Sequence, residues 1–573
     1  MIIPAILSVI FSFGLMALAT LLLYSVLRAG PTTKVDTDEA YSGIATASRW
    51  LHRLRILFIL FCLVVLGFHA YWALCVDGPI LVDENYVKIR DSRDQRNRRI
   101  QEAGLRGWVF DRHDSPDSAL IHYRNLGTKI VREYPLGETG AHLIGYKDLV
   151  RGEAGIEKAY DKVLTSPLSA YNALVSTVPV GKDLVTTIDS QLQRSVAEQL
   201  AGKRGAVVVL DIKTGGILAL ASNPNFSPKE LSDEQYWQKI STDEINKPLV
   251  NRATGQYYLP GSSFKTVVAA AALIYGLDKE HFACQAGGFT PPGSEKAIED
   301  DQNSVHGHID FERAFAVSCN QYFAQLGLKL GAARLAETAK LFGIHIDESP
   351  EEARKTLIDN KLWNAEGSDL AAAFGPNQSR MMLNTKIYRF DLAIQSIGQG
   401  YTQMTPLQMA LIAAGVANNG QVMRPKLELN RAPKPLSTAL PPQVPARLQQ
   451  LMIGVVRSGT ARAAFTGSPI TVGGKTGTAQ REVIVYDTKT GKPRLITDTK
   501  TGKQYTATRL SIDAWFIGFA PAENPQIAFA VIIEDGGHGG AVAAPIARNT
   551  VEKAAQLGLI NAHANNTKQP LAN

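Results

Sequence analysis

Cysteine is scarce in this chain, with four in 573 residues, and two of them (Cys62 and Cys75) fall inside an apolar segment. A fold framed by several disulfides is therefore excluded. The remaining pair, Cys284 and Cys319, is free to join in an oxidising compartment, but spacing alone does not decide it. No arginine-rich or aromatic-interleaved stripe occurs, so nucleic acid is not an expected partner. Excess charge is also small: 60 Lys+Arg against 53 Asp+Glu leave +7, a value that describes a solvated surface at this length. His306-Gly307-His308 invites a metal reading, yet no third ligand stands at a suitable spacing. These histidines are read as structural, and no metal or organic cofactor is expected.

What the chain has in quantity is apolar sequence near its start. From Met1 to Ala29 the only charge is Arg28, and the run is long enough to span a bilayer. It lacks the basic leading region of a signal peptide, and its apolar stretch is too long for one. A second uncharged stretch, Ile56 to Val76, ends in the interface-like cluster His69, Tyr71 and Trp72. The intervening loop carries Arg28, Lys34, Arg49, Arg53 and Arg55 against Asp36, Asp38 and Glu39, whereas Asp77, Asp83 and Glu84 follow the second stretch. The positive-inside rule places that loop in the cytoplasm and both termini outside. The expected organisation is a transmembrane helix over 1–27, a cytoplasmic loop over 28–55 and a second transmembrane helix over 56–76. A buried hairpin in a soluble core is the competing reading of the two stretches.

A chain of this length exceeds one core and predicts two or three domains. The first module outside the membrane covers 77–178. It opens on the charge-dense stretch Arg90 to Arg99 and continues with the short alternating strand Arg106 to Arg112. Further on stand Arg132-Glu133-Tyr134-Pro135, His142 to Tyr146, and Gly155-Ile156-Glu157. The main domain covers 179–560 and a polar tail covers 561–573. Within the main domain, Val185 to Asp189 predicts a strand leading into a helix over Ser190 to Leu200. Gly205 to Ala221 reads as a hairpin about Asp211-Ile212-Lys213-Thr214-Gly215-Gly216. Leu392 to Gly400 and Met404 to Gly420 read as helices ended by glycine, and Arg431 to Pro445 as a surface loop. Ile470 to Val472, Ala514 to Phe519 and Ile527 to Glu534 read as strands. Strands at both ends with helices between them predict an α+β domain, in which a sheet closed by distant segments carries a helical subdomain.

Three short strings carry the chemistry: Ser262-Ser263-Phe264-Lys265, Ser318-Cys319-Asn320 and Lys475-Thr476-Gly477-Thr478. Together, in this order, they compose a serine acyl-transfer site with lysine as proton handler. Pro260-Gly261 turns into a helical run, so Ser262 stands at a helix start, where N–H groups favour developing negative charge. Lys265 lies one turn on, within reach of the serine hydroxyl. Its amine must be lowered from roughly 10 to act as a base, by desolvation and by a second cation, for which Lys475 is the candidate. Ser318 can relay a proton to a leaving amine, and Asn320 can hold a peptide carbonyl.

Lys-Thr-Gly occurs at 213–215, 475–477, 489–491 and 500–502, so the active copy must be chosen. Three copies follow Asp-x and suit hairpin turns. Lys475 instead follows Ile470-Thr471-Val472-Gly473-Gly474, a strand whose glycines are expected to let a substrate backbone lie against the edge. Thr476 and Thr478 then contact a substrate carboxylate, and the Thr478 N–H joins that of Ser262 in an oxyanion hole. The other two late copies form a partial repeat, read as a hairpin inserted after the active strand.

With these three motifs, and with Asp513 to Pro521 and Gly536-Gly537-His538-Gly539-Gly540 downstream, the sequence resembles the class B penicillin-binding transpeptidases from about Arg106 to about Lys553. The resemblance implies the penicillin-binding transpeptidase fold, an antiparallel sheet flanked by helices plus an all-helical subdomain. It makes the module at 77–178 a small, reduced pedestal, although this group usually has a single membrane anchor. It implies a peptidoglycan D,D-transpeptidase in the bacterial cytoplasmic membrane that acts on D-Ala-D-Ala stem peptides, is acylated by β-lactams, and partners a SEDS-type glycan polymerase. Ser262, Lys265, Ser318, Asn320 and Lys475 are its expected catalytic residues, and Thr476, Gly477 and Thr478 its substrate-binding residues. A D,D-carboxypeptidase using water, or a penicillin-sensing receptor, would share the site. The cytoplasmic loop is too short for a receptor's output domain. A β-lactamase would need a deacylating base, and no Glu-x-x-Leu-Asn string lies between Asn320 and Lys475.

Overall fold

The computed structural model describes residues 105–561 apart from 126–129, 149, 167–180, 348, 350–378, 384–386, 488–491 and 498–501, together with scattered positions between 53 and 65. The first apolar segment, the stretch Arg90 to Arg99 and residues 562–573 of the tail lie outside the described residues. Of the second apolar segment, Ile56, Leu57, Phe58, Leu60, Phe61 and Val64 are helical and exposed. Among the described residues no helix is long and apolar enough to cross a membrane. Residues Met1–Ile100 and Gln101–Asn573 form separate compact units.

The second unit begins with a small sheet of β1 (Val109–Phe110), β2 (Ala119–Asn125) and β3 (Ile130–Glu133), then the hairpin of β4 (Tyr146–Asp148) with β5 (Gly152–Ala154). Strand β6 (Leu184–Val185) completes the small sheet in the order β3-β2-β1-β6, pairing parallel with β1. Leu184, inside the stretch expected to belong to the main domain, thus pairs in the first sheet, because Leu184 and Thr186 donate from their N–H groups to the Trp108 and Phe110 carbonyls. Three of the module's four sequence signatures meet at one buried carboxylate. Glu157 accepts from Arg106 Nε at 3.0 Å, Arg132 Nε at 2.5 Å and Tyr134 OH at 3.2 Å. Removing one partner from such a buried network typically costs about 3–5 kcal/mol.

Helix α1 (Ser190–Gln199) follows, capped by Asp189, whose carboxylate accepts from the Gln191 and Leu192 N–H groups. Then come β7 (Gly205–Asp211) and β8 (Ile217–Asn223), helix α2 (Lys265–Ile274), and the short pair β9 (Phe282–Cys284) and β10 (Gly307–Ile309). Helices α3 (Phe311–Val317) and α4 (Asn320–Leu330) precede a second short pair, β11 (His345–Asp347) and β12 (Arg380–Met382). Helices α5 (Pro406–Ala417) and α6 (Gln443–Arg457) lead to β13 (Gly473–Ile484), β14 (Leu495–Thr497), β15 (Gln504–Thr506), β16 (Thr508–Ala520), β17 (Ile527–Ile533) and α7 (Ala543–Gln556).

The main sheet is antiparallel in the order β13-β16-β17-β7-β8. Its central strands are buried on both faces, which is why Val207-Val208-Val209 and Ile527 to Ile533 read as unbroken apolar runs. Helices α1 and α7 pack on strands of this sheet, and so does α5. Every residue of α5 is buried, so it shows no polar face. Two expected boundaries shift. Ile470 to Val472 lies before the ladder, which begins at Gly473, and the proline-rich stretch ends inside α6, whose first turn accommodates Pro445.

Candidate active site

Ser262 lies in a 3-10 turn, Gly261–Phe264, that runs directly into α2. The turn is fixed from several sides. Gly261 N–H donates to Gly398 O at 2.9 Å, and Trp515 Nε1 donates to Leu259 O at 3.0 Å. Ser263 commits its hydroxyl to Pro260 O at 2.6 Å and is buried. Ser262 is half-buried, and among the described residues its hydroxyl enters no hydrogen bond. The turn also presses on the active strand. A Cβ on Gly261, whose φ is +54°, would lie 2.4 Å from Thr478 O, and one on Gly477 would lie 2.8 Å from Pro260 O. Only glycine permits this approach, which brings the backbone around Ser262 and Thr478 together.

Ser318 ends α3 with φ 64°, in the left-handed region, and Asn320 opens α4. This reversal turns both side chains toward α2. Lys265 donates from Nζ to Ser318 O at 2.6 Å and Asn320 Oδ1 at 2.7 Å, and lies 3.4 Å from Ser318 Oγ. Lys475 donates from Nζ to Ser318 Oγ at 2.9 Å and to Thr476 O at 3.1 Å. All three strings therefore converge on one hydroxyl. The expected link between Lys265 and Ser262 is not formed as a hydrogen bond among the described residues, because the amine is drawn to two carbonyl oxygens across the cleft.

Both lysines are fully buried, with the rings of Phe323 and Phe315 at 5.5 and 5.6 Å from their nitrogens. Burial lowers Lys265 to about 8, although Asp300 nearby opposes the change. Burial, and then repulsion from Lys265, push Lys475 well below the usual amine range. The expected division, with Lys475 as the fixed cation that lowers Lys265, is thus incomplete. Burial is the main cause for both, and Lys265 has carboxylate neighbours that favour its proton, whereas none is among the causes for Lys475.

The active strand corrects one local expectation. Gly473 and Gly474 make room for neighbouring rings rather than for a substrate backbone: a Cβ on either would lie 2.3 Å from Phe519 Cζ or Phe516 Cζ. Strand β13 is nonetheless the edge of the sheet. Thr476 pairs its hydroxyl at 2.5 Å with that of Thr460, a residue that no sequence string singled out. The Lys213 copy is a turn, as expected: Asp211 Oδ1 accepts from the Lys213 and Thr214 N–H groups at 3.0 and 2.7 Å, and Gly215 has φ +74°. Lys489 and Lys500 lie outside the described residues. Around them β14 and β15 pair antiparallel between β13 and β16, as an inserted hairpin should.

The premise that no further ligand stands near His306 changes in space. Cys284, Asp300, His306 and Cys319 place one ligand atom each within 4.8 Å of one another. Both cysteines are free thiols and buried, so the cysteines meet without a disulfide. His308 instead stacks on His281. Two thiols, an imidazole and a carboxylate form a four-donor set suited to a zinc-like ion. Spacing concealed it because β9, the segment before β10 and the start of α4 each supply a donor. The cluster abuts the turn that carries Ser318 and Asn320, since Asp300 Oδ1 accepts from Asn320 N–H.

Comparisons agree with this geometry. Residues 205–552 match the family described as the penicillin binding protein transpeptidase domain. The chain is 32% identical over 467 residues to the peptidoglycan D,D-transpeptidase MrdA of Acinetobacter baumannii, covering 73% of this chain and 65% of that protein. It is 30% identical over 466 residues to the peptidoglycan D,D-transpeptidase PbpA of Mycolicibacterium smegmatis, covering 75% and 85%. Among solved structures, the penicillin G acyl-enzyme complex of penicillin-binding protein A from M. tuberculosis superposes with a TM-score of 0.62 at 28% identity, covering 79% of this chain and 99% of that one. With a matched domain over more than half its length and the three motifs assembled in space, the chain belongs to the penicillin-binding protein transpeptidase family, in its class B group.

Proposed function

We propose that this chain is a peptidoglycan D,D-transpeptidase that works through an acyl-enzyme on Ser262. The observation that carries the reading is the meeting of Lys265 and Lys475, both buried, at Ser318 Oγ beside the nucleophile turn. Neutral Lys265 takes the Ser262 proton as Oγ attacks the carbonyl between the two terminal D-Ala residues of a stem peptide. The N–H groups of Ser262 and Thr478 receive the charge that develops on the carbonyl oxygen. Ser318, bridged to Lys475, passes a proton to the departing amine, and free D-Ala leaves. An amine of a neighbouring stem peptide then attacks the ester, transfers its proton back through the lysines and releases Ser262. Asn320, Thr476 and Thr478 hold the peptide, with Thr460 supporting Thr476. A β-lactam carries the same amide in a ring, so its leaving amine stays tethered and the acyl-enzyme persists.

Cys284, Asp300, His306 and Cys319 would hold a zinc-like ion that supplies structural cross-linking beside Asn320. The apolar runs over 1–27 and 56–76, and the exposed helical residues Leu54, Ile56, Leu57, Phe58, Leu60, Phe61 and Val64, support two membrane anchors with the catalytic domain outside the cytoplasmic membrane. The module at 77–178 is a pedestal, and resemblance to the family supports a SEDS-type glycan polymerase as partner. A turnover assay with paired stem peptides tests the reaction. Cross-linked product is expected, and hydrolysed product alone would make the protein a D,D-carboxypeptidase.

A further inference from the structure

Glu534, directly after β17, is a largely buried carboxylate that touches none of the reacting groups. Its Oε1 accepts from Tyr258 OH at 2.7 Å and from Arg252 Nε at 2.8 Å. Its Oε2 lies 3.5 Å from Arg481 and 3.4 Å from Arg204. These partners belong to different parts of the site. Tyr258 stands four positions before the nucleophile, on the segment whose Leu259 carbonyl accepts from Trp515. Tyr258 is buried edge-on against that same Trp515, with ring centroids 5.9 Å apart. Arg481 stands on the active strand three positions beyond Thr478, where Asp513 on β16 also holds it at 2.5 Å.

One carboxylate therefore ties the segment that carries Ser262 to the strand that carries Thr478. The oxyanion hole needs an N–H from each, and no covalent path shorter than two hundred residues joins them. The contacts of Gly261 and Gly477 bring the two backbones close, and a tie beyond them holds the gap, because a shift of an ångström is enough to weaken catalysis greatly. We propose that Glu534 is a positioning residue: through Tyr258 and Arg481 it sets the separation of the Ser262 and Thr478 N–H groups. A plain structural ion pair would stabilise the domain equally but would leave the chemical step untouched. The proposal rests on the serine acyl-enzyme reading above.

Tyr258→Phe removes one hydrogen bond, keeps the ring against Trp515 and leaves every ion pair of Glu534 in place. Glu534→Gln removes the charge while keeping the shape. In full-length protein, stopped-flow acylation by penicillin G separates the binding constant from the acylation rate constant. Both variants are expected to acylate about fivefold to tenfold more slowly, with the binding constant within about twofold. The pH at which acylation rises should stay where it is in the wild type, because the lysines are untouched. Tyr258→Phe acylating at the wild-type rate, or losing binding and rate together, would overturn the proposal, even if its melting temperature fell. Wild-type protein that fails to label would count against the serine reading instead.

Discussion

Lys475 Nζ donates to Ser318 Oγ at 2.9 Å, joining two residues 157 positions apart in the chain. That bond places one of the four Lys-Thr-Gly copies beside Ser318. Lys475→Ala is expected to slow β-lactam acylation at least tenfold, about 1.4 kcal/mol of barrier. Lys213→Ala, Lys489→Ala and Lys500→Ala should leave it nearly unchanged, as surface substitutions away from a site seldom affect chemistry or stability. Sensitivity at 489 or 500 would mean that the active strand has been misplaced.

Burial of the lysines sets a pH dependence. Lys265 is lowered to about 8 from 10.5, so its neutral, base-competent form grows as pH rises through about 8. Acylation measured from pH 6 to 9.5 should climb and level off there, and a flat profile would contradict Lys265 as the base. The same shift acts on stability. Between the folded value and the unfolded one the unfolded chain binds more protons, so this group's contribution should rise with pH across that interval. Denaturant midpoints at pH 7 and 9.5 check the sign once other titrating groups are accounted for by a Lys265→Met variant.

The cysteine cluster should bind a thiophilic ion. Purified full-length protein is expected to carry about one zinc per chain, and cobalt should give a thiolate charge-transfer band that Cys284→Ser weakens. Chelation should lower the melting temperature and expose the thiols to alkylation. Absence of bound zinc, together with thiols that alkylate equally with and without added zinc, would refute the site.

Topology is open to a reporter test. A fusion after residue 573 should be active outside the cell, and one near Thr46 only inside. An outside signal at Thr46 would overturn the charge-based orientation.

The sequence made the catalytic strings legible because their chemistry is local: a serine and lysine one helical turn apart, and a glycine-rich strand before Lys475. It also made the Asp211 turn legible, since Asp-x-Lys-Thr-Gly specifies its own hydrogen bonds. It missed what only packing decides. Gly473 and Gly474 serve Phe519 and Phe516, which lie more than forty positions away on β16. Thr460 reaches Thr476 from the turn after α6, with no string to mark it. The cluster of Cys284, Asp300, His306 and Cys319 spans three chain segments, so a search by spacing around His306 could not assemble it.

The most direct test of the account is the site of covalent modification. Full-length protein treated with a labelled penicillin should carry the label on the peptide containing Ser262, as read by mass spectrometry. Ser262→Ala, folded by its unchanged melting transition, should carry none. Label that persists in folded Ser262→Ala, or that maps to Ser263 or Ser318, would contradict the assignment of the nucleophile.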